Sequence, residues 1–415
     1  MKVLAIGIHE GFADFFRRNP EYELFVLDEP DLYESNVAGY ASYPVTELRL
    51  AAYQQTDEFI AAVEEWHEQV AFDAVVPCWE YAVRPAGKIA DRLGLRSPGL
   101  RAVEACTDKL RLREAASDAG IPQPRFAAAS SEADLHAFYQ GRPIVVKPTN
   151  RRASVGVVRA DSPGEFAGAW ATSVDAVEAR GVAGRPLEWP HLMEEYVEGT
   201  LVSVETLFAD GTPVFDNVTK LDTPVGSRRF PITTITVPAP LPDGDCRLAI
   251  ESAHRLVAAL GARDGMFHSE WKISKEGALL IESACRAPGV WIPELVSETY
   301  GFNLYGALVR VLLGLPAGVK PQPYAVGAVH YLQRPAGRVV EASGAEALAD
   351  HPNVFMQRIK ETVGSRIVPP ADSSRRGGYF GVRATDHAEL ARLVAEIDDS
   401  LRVVVVPDGP EEERI

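Results

Sequence analysis

The order of its strands and helices predicts that this chain combines an α/β domain with α+β domains. Over residues 1–105, buried-type strands alternate with helical patterns, which is typical of a parallel sheet. From about residue 190 onward, strands often follow one another through short glycine-containing turns, which favours antiparallel pairing. A length of 415 residues exceeds one typical domain and indicates two or three.

Composition and charge narrow the class of partner. The net charge of −16 and the pI near 5.1 argue against nucleic acid or an anionic membrane as the main partner. The Met1 start lacks a signal-peptide pattern, and no uncharged apolar run approaches the length of about 18 residues that a membrane helix needs. The four cysteines show no CxxC spacing, so neither a zinc site nor a disulfide framework is predicted. A cytoplasmic protein that acts on small molecules is expected.

The first strands place two polar side chains where α/β sheets bind ligands. The predicted strands are KVLAIGI, YELFVLD and FDAVVPCWEY. His9 and Glu80 follow the first and third of them, so we expect both beyond the carboxyl ends of the sheet. Both are candidates for substrate binding, and ordinary loop polarity is the alternative. The turn from Gly7 to Gly11 lacks the GxGxxG pattern, so a dinucleotide site is not predicted.

Two lysines are candidates for binding phosphate. A helix is predicted to begin with Thr107 or Asp108 as its N-cap, which puts Lys109 in the first turn. Because a helix N-terminus disfavours a cation, Lys109 either serves an external anion or is simply solvated. Lys147 ends the strand IVVK and precedes a polar loop, with a return strand starting near Val155. Such a loop can hold phosphate through its N–H groups, although the Walker A pattern is absent.

A kinked strand and a long loop follow. The segment HLMEEYVEGTLVSVETLF predicts a strand into Met193, a kink from Glu194 to Gly199 and a second strand from Leu201 to Phe208. Residues 222–242 contain many prolines and no clear period, which predicts a long loop over the site. Within this loop, Arg228 either attracts an acid substrate or contributes only to solubility.

The stretch from Met266 to Gly289 predicts a hairpin with two opposed carboxylates. With the turn centred at Glu276, Glu270 and Glu282 lie opposite each other on one face of an antiparallel pair. Period-two alternation puts Arg286 on the same face. Two opposed carboxylates repel, and a shared magnesium ion bound through oxygen ligands would remove the conflict. The alternative is a solvated face with ordinary surface charges.

The rest of the sequence predicts helices and then a strand-rich tail. The segment GVWIPELVSETYGFNLYGALVRVLLGL is helical up to Pro316. From about Tyr324, four strand patterns precede the helix HAELARLVAEIDDS and a last strand, LRVVVV. This pattern predicts a small α+β tail that ends in the frayed acidic segment DGPEEERI.

Taken together, the order of these motifs resembles that of the ATP-grasp superfamily of carboxylate–amine ligases. The motifs are TDK on a helix, VVKP at a strand end, an SVGV loop, MEEYVEG at a kink, FHSEWK and LLIESACRAPG. The L-amino acid ligase branch is especially similar, and biotin carboxylase is more distant. The resemblance implies an N-terminal α/β pre-ATP-grasp domain (1–105), an ATP-grasp domain with a central antiparallel sheet (106–320, lid about 125–195) and a C-terminal α+β subdomain (321–415).

The resemblance also implies how ATP is held. Lys109 and Lys147 correspond to the two lysines that bind its α- and β-phosphates. Ser154 and Gly156 belong to the lid loop that covers the phosphates. Glu194 corresponds to the glutamate that pairs with adenine N6. Glu195 and Val197 correspond to the residues that supply the backbone contacts of the hinge. Glu205 corresponds to a second acidic position on the strand that follows the hinge.

The resemblance also implies which residues of the hairpin bind metal and take part in the reaction. Glu270 and Glu282 correspond to the ligands of two Mg²⁺ ions, with Mn²⁺ as a substitute, and Arg286 to the arginine that steadies the transferred phosphate and the acyl intermediate. The segment Gly289 to Trp291 is expected to wall the substrate pocket. One departure lies on the same face, because the family usually has an asparagine where this chain has Ala284.

Together these correspondences imply an ATP-dependent ligase. It would activate a carboxylate, by resemblance an amino acid, as an acyl phosphate and join it to an amine, with a specialised natural product as one outcome. A carboxylase acting on bicarbonate and an ATP-binding relative without turnover are the alternatives. The second is motivated by Ala284, by Leu201 in place of a ribose-binding glutamate, and by Arg151 and Arg152 where glycines are commoner in the lid loop. A homodimer is the expected oligomer.

Overall fold

The first part of the chain forms a four-stranded parallel sheet in the computed structural model. The structure describes residues 1–178, 180–224, 226–368, 370, 372–373 and 376–407, so the acidic segment 408–415 lies outside it. The strand order is β3-β2-β1-β4, with all three pairs parallel. Its elements are β1 (Lys2–Ile6), α1 (Glu10–Arg18), β2 (Glu23–Asp28), α2 (Pro30–Glu34), α3 (Val37–Ser42), β3 (Val45–Leu50), α4 (Phe59–Val70), β4 (Ala74–Pro77) and α5 (Val83–Leu93).

Three of these strands are predicted by the sequence, and β3 is not. Its six residues are all intermediate or exposed, and the strand lies at the sheet edge. An edge strand of this kind lacks the apolar run by which β1, β2 and β4 are recognised. The parallel sheet nevertheless brings the carboxyl ends of β1 and β4 side by side, which places His9 and Glu80 at the same edge.

A second, antiparallel sheet covers the segment predicted as the lid. Its strand order is β5-β8-β6-β7. The return strand begins at Val158, three residues later than predicted, so the loop after Lys147 is longer than expected. The elements from the interdomain helices to the end of this sheet are α6 (Leu100–Cys106), α7 (Lys109–Asp118), β5 (Phe126–Ala129), α8 (Glu132–Phe138), β6 (Ile144–Pro148), β7 (Val158–Ala160), α9 (Phe166–Val174) and β8 (His191–Glu195).

The central sheet has eight strands and includes the predicted hairpin. The prediction of residues 222–242 as a loop is wrong in part, because Thr234–Val237 form a strand there. Four residues between prolines are too few to show a period, and pairing with two neighbours stabilises them instead. The elements of this part are β9 (Thr200–Ala209), β10 (Thr212–Asp222), β11 (Thr234–Val237), α10 (Asp243–Ala259), β12 (Gly265–Ser274), β13 (Gly277–Ala284), α11 (Ile292–Tyr300) and α12 (Leu304–Leu312).

The tail continues this sheet beyond residue 320. The order β13-β12-β9-β10-β11-β14-β18-β16 shows that three tail strands extend it, while β17, β15 and β19 form a small sheet of their own. Among the described residues, no helix is long and apolar enough to cross a membrane. The tail elements are β14 (Val326–Tyr331), β15 (Gly337–Ser343), α13 (Ala345–Ala349), β16 (Val354–Arg358), β17 (Arg366–Ile367), β18 (Tyr379–Ala384), α14 (His387–Ser400) and β19 (Arg402–Val406).

A large apolar core joins the first sheet to the central sheet. It includes buried residues of β1 and α1, of the central sheet, and of α11 and α12. Phe12 of α1 and Leu304 of α12, for example, are fully buried in the same cluster although they are far apart in the sequence. The core therefore holds the carboxyl edge of the first sheet against the end of the hairpin.

Candidate active site

The hairpin places the two carboxylates opposite each other, as predicted, but by a different route. Glu270 pairs with Glu282. At the turn, however, Ser274 pairs with Gly277, so a regular ladder would put Ile281 opposite Glu270. A β-bulge directly after Glu270 adds one residue to the second strand and restores the pairing. Bulges re-aim side chains, and they are enriched next to active sites.

Glu282 lies beside the first predicted lysine. Asp108 is the N-cap of α7, which puts Lys109 at its first position. The Lys109 Nζ lies 3.1 Å from Glu282 Oε1 and donates to the Arg151 carbonyl at 2.6 Å. Burial opposes ionisation of Glu282, but Lys109 and Lys147 outweigh it and lower its pKa. The carboxylate is therefore held in the charged form in which it can ligate a cation.

The second lysine is part of a buried charge triad that the sequence did not reveal. Lys147 Nζ lies 2.8 Å from Glu194 Oε2, and Arg113 Nε lies 2.7 Å from Glu194 Oε1. Burial opposes the charge of Glu194, yet the two cations lower its pKa to about 2. Arg113 also donates to the carbonyls of Leu280 and Ile281, which fixes the bulged hairpin to α7. The one signal in the sequence is its position four residues after Lys109, on the same helix face.

The loop that the resemblance assigns to the phosphates, residues 154–157 with Ala153 before them, has an unusual backbone. Ala153 and Ser154 have φ of 57° and 58°, and Gly156 has φ of 74°. A Cβ on Gly156 would lie 2.9 Å from Pro148 Cγ and 3.0 Å from the Ser173 carbonyl. The Ser173 hydroxyl in turn donates to the Gly156 carbonyl at 2.6 Å. Glycine is therefore required both by backbone conformation and by space.

The arginines of this loop dock it on neighbouring elements. Arg152 Nε lies 2.7 Å from Glu178 Oε1, and its guanidinium lies 5.3 Å from the ring centroid of Trp79. The guanidinium of Arg151 lies over Trp189, at 4.1 Å. These contacts fix the two arginines of the loop on neighbouring parts of the chain.

Across the site, Arg286 contacts one of the two side chains that were predicted near the substrate, Glu80, and its charge acts on the other, His9. Arg286 Nε and Nη2 both lie 2.6 Å from Glu80 Oε2. His9 accepts a hydrogen bond from the Gly11 N–H at its Nδ1 and packs against Trp79. Burial, reinforced by Arg152 and Arg286, lowers the pKa of His9 to about 4, so its ring is neutral near pH 7.

A buried network fills the place opposite Ala284. His268 pairs with Ala284 across the hairpin, and its Nδ1 lies 2.9 Å from Glu205 and its Nε2 3.6 Å from Glu270. Burial opposes a charge on His268, but Glu205 and Glu270 raise its pKa to about 9. Glu205 has no exposed surface, and its bonds go to Ser203, Asn217, Thr219 and His268. Glu205 therefore positions His268, and its direct contact with a nucleotide stays a prediction.

The remaining predicted residues are placed less centrally. The Glu195 N–H donates to the Arg125 carbonyl within the lid sheet, and Val197 follows the end of β8. Arg228 is more than half exposed and pairs with Glu165 on the outside of the lid, so the structure does not bring it together with Arg286. Trp291 is the N-cap of α11 at φ 67°, and Gly289 before it is exposed.

Known protein families match two parts of this chain. A family model described as "ATP-grasp domain" matches residues 140–294, and one described as "L-amino acid ligase C-terminal domain 2" matches residues 330–406. Alanine–anticapsin ligase of Bacillus subtilis is 26% identical over 336 residues, which cover 73% of this chain and 68% of that protein.

Solved structures show the same fold. The L-amino acid ligase of Bacillus licheniformis has a TM-score of 0.78 and 19% identity, and the match covers 98% of this chain and 99% of that one. The biotin carboxylase domain of the 2-oxoglutarate carboxylase from Hydrogenobacter thermophilus has a TM-score of 0.65 and 13% identity, over 98% of this chain and 91% of that one. The predicted fold class, with its resemblance to both branches, is therefore confirmed.

Proposed function

The chain belongs to the ATP-grasp superfamily, and from this we propose that it is an ADP-forming ligase that activates the carboxylate of an amino acid and joins it to an amine. One observation carries the proposal. Glu270 and Glu282 lie opposite each other, and the charges of Lys109, Lys147 and Arg286, from three separate parts of the chain, act on Glu282. This is the charge pattern that an enzyme needs to hold a nucleoside triphosphate with its counterions.

Nucleotide binding follows from the cations and the lid loop. Lys109 and Lys147 would hold the phosphates, with backbone N–H groups of residues 154–157 above them. Lys109 now donates to Arg151 in that loop, so phosphate binding would exchange this bond for one to an anion. Glu194 fixes Lys147 and Arg113, and its assignment to adenine N6, like the hinge role of Glu195 and Val197, is part of the proposal.

The residues at the hairpin fit magnesium. Glu282 is held ionised, Glu270 faces it, and magnesium commonly takes one or two carboxylates together with substrate phosphates and water. No group of three potential metal-binding side chains occurs in the part of the chain that the structure describes, so the phosphates would supply further ligands. Bound there, Mg²⁺ or Mn²⁺ would offset the phosphate charge that develops during transfer.

The proposed reaction has two steps, and we assign Arg286 to both. In the first, a carboxylate oxygen attacks the γ-phosphorus, the bond from that phosphorus to the β-phosphate oxygen breaks, and ADP leaves. In the second, the amine nitrogen attacks the acyl carbon, phosphate leaves with the bonding electron pair, and the nitrogen loses a proton. Arg286 is aligned by Glu80, so its N–H groups are preorganised to stabilise oxygen atoms that gain charge. The lid loop excludes water from the acyl phosphate.

The alternatives are separable by one experiment. ADP release is measured with ATP, Mg²⁺ and each of the standard L-amino acids, alone and in pairs. The proposal expects release that requires an amino acid. Release that needs bicarbonate and no amine would instead support a carboxylase, and ATP binding without release would support a relative without turnover. A cytoplasmic location and a homodimer stay predictions.

A further inference from the structure

A half-buried arginine in the C-terminal subdomain carries a buried donor atom that its protein neighbours do not explain. The guanidinium of Arg376 lies 3.8 Å from the ring centroid of Tyr331. Its Nη1 is buried and has no hydrogen-bond partner among the described residues. Burial lowers the pKa of Arg376, against the opposing effect of Tyr331 and Asp372. A buried donor without a partner costs free energy, which a ligand with a matching acceptor would recover.

This arginine belongs to a segment that contacts the lid loop. The Ser373 N–H donates to the Ala153 carbonyl at 2.9 Å, and the Ser373 hydroxyl accepts from the Ile232 N–H at 3.1 Å. Ala153 lies in the loop assigned to the phosphates, and Ile232 precedes β11. Ser373, three positions before Arg376 in the sequence, therefore lies at the rim of the proposed active site.

Aromatic rings and one carboxyl group surround the same place. The rings of Trp291 and Tyr379 are 5.1 Å apart, and those of Tyr331 and Tyr379 are 5.6 Å apart. Glu294 is half-buried, and it accepts a hydrogen bond from Tyr305 at 3.3 Å. The charges of Arg376 and Glu294 both act on Tyr331, so a cation and an anion lie near the same ring. An amino acid, with its own carboxylate and amino group, matches this pattern.

We propose that Arg376 binds the free carboxylate of the amino acid that serves as the amine substrate, with Trp291, Tyr331 and Tyr379 as the walls of its pocket. The proposal rests on the ligase function above and names the class of its second substrate. The carboxylate that is activated must lie near Arg286, whose guanidinium is already aligned by Glu80. A separate arginine suits the carboxylate that does not react, because its planar fork binds such a group through two hydrogen bonds.

The test compares an amino acid with its amide. Acyl phosphate is first trapped with hydroxylamine as hydroxamate, using each standard L-amino acid as the acid. For an acid that gives hydroxamate, the KM is then measured for L-amino acids and for the matching L-amino acid amides as amines. The variants are Arg376→Gln, Arg376→Lys and, as a matched control on the neighbouring strand, Arg383→Gln, whose arginine pairs with Glu298.

We expect Arg376→Gln to raise the KM for free amino acids at least about tenfold and the KM for amides less than about twofold, since a charge-assisted hydrogen bond is lost only with the former. Arg376→Lys should recover part of the loss. All variants should form hydroxamate as wild type does, and Arg383→Gln should keep the wild-type KM values. The ratio of the two KM values is an internal control for folding.

Other outcomes overturn the assignment. Equal effects on amino acid and amide, no effect on either, a loss of hydroxamate, or a rise in the KM for ATP would each place Arg376 elsewhere in the reaction. Hydroxamate formed by wild type but unaltered selectivity in Arg376→Gln refutes this inference alone. Absence of hydroxamate with every acid refutes the ligase proposal and the inference with it.

Discussion

At the scale of single residues, the site is a set of charges that hold one another in place. Glu282 pairs with Lys109, Glu194 pairs with both Lys147 and Arg113, and Glu80 aligns Arg286. Breaking one partner of a buried pair leaves the other charge uncompensated, which costs about 3–5 kcal/mol. The lysines and glutamates were predictable because motif order marks them.

The first prediction concerns Glu282→Ala. The variant should abolish ADP formation, because it removes one of two opposed carboxylates and leaves Lys109 without its carboxylate partner. The control is Glu276→Ala, which removes an exposed carboxylate from the turn of the same hairpin and should leave ADP release unchanged. Near-normal turnover of Glu282→Ala in the ADP assay would contradict the assignment of this residue as a metal ligand.

A second prediction concerns the buried Asp28. It accepts hydrogen bonds from the Tyr53 hydroxyl at 3.1 Å, the Glu29 N–H at 2.8 Å and the Tyr40 hydroxyl. Burial nevertheless raises its pKa from 3.8 to about 6. A raised pKa means that folding favours the protonated acid, so this contribution is present below pH 3.8 and is lost as the pH rises through about 6.

The free energy of unfolding of wild type, relative to Asp28→Asn, should therefore fall by about 2–3 kcal/mol between pH 4 and pH 7. Urea titrations of both proteins at several pH values measure this difference. A difference that stays constant over the range would show that Asp28 titrates normally in the folded protein.

At the scale of elements, the lid loop depends on its backbone more than on its side chains. Gly156 has a left-handed backbone and no room for a Cβ. Gly156→Ala should thus cost about 1–3 kcal/mol of loop stability and lower ADP formation about tenfold or more. Gly164→Ala is the matched control, since nothing lies within 4 Å of its Cβ position. Equal turnover of the two variants, measured at saturating ATP, would contradict a strict requirement for glycine at position 156.

Helices and strands were predictable where a long sequence pattern marks them. The prediction failed where packing against neighbouring elements decides the structure. The helix over His387–Ser400 was predicted with its observed bounds. Strands β3 and β11 were missed because one is half-exposed and the other has four residues between prolines. At the site, Arg113 and His268 were missed for a related reason. An arginine on a helix and a histidine on a strand are ordinarily solvated or apolar-packed, and only the fold shows the buried carboxylates that they meet.

At the scale of the whole molecule, residues 180–190 fasten the lid to the first domain. Arg185 lies 2.7 Å from the buried Glu29, and Gln54 bonds Gly181 and Ala183. Arg185→Ala should loosen the lid, so that its peptides exchange hydrogen faster. The free energy of unfolding should fall by about 1–3 kcal/mol. The N–H groups of Tyr53 and Gln54 would still donate hydrogen bonds to Glu29. Arg18→Ala is the surface control. Unchanged exchange in the Arg185 variant would show that the lid is held elsewhere.

The continuous central sheet has a consequence for how the chain can be divided. Strand β11 is hydrogen-bonded to β10 on one side and to β14 on the other, and Ile235 and Val237 have no exposed surface. A chain cut at residue 320 would carry β11 as a bare apolar edge, which is a template for pairing with another copy. Such a fragment should self-associate on a sizing column. A chimaera that takes its tail from a relative must therefore keep a strand in the place of β14, because this strand covers the edge of β11 and prevents aggregation.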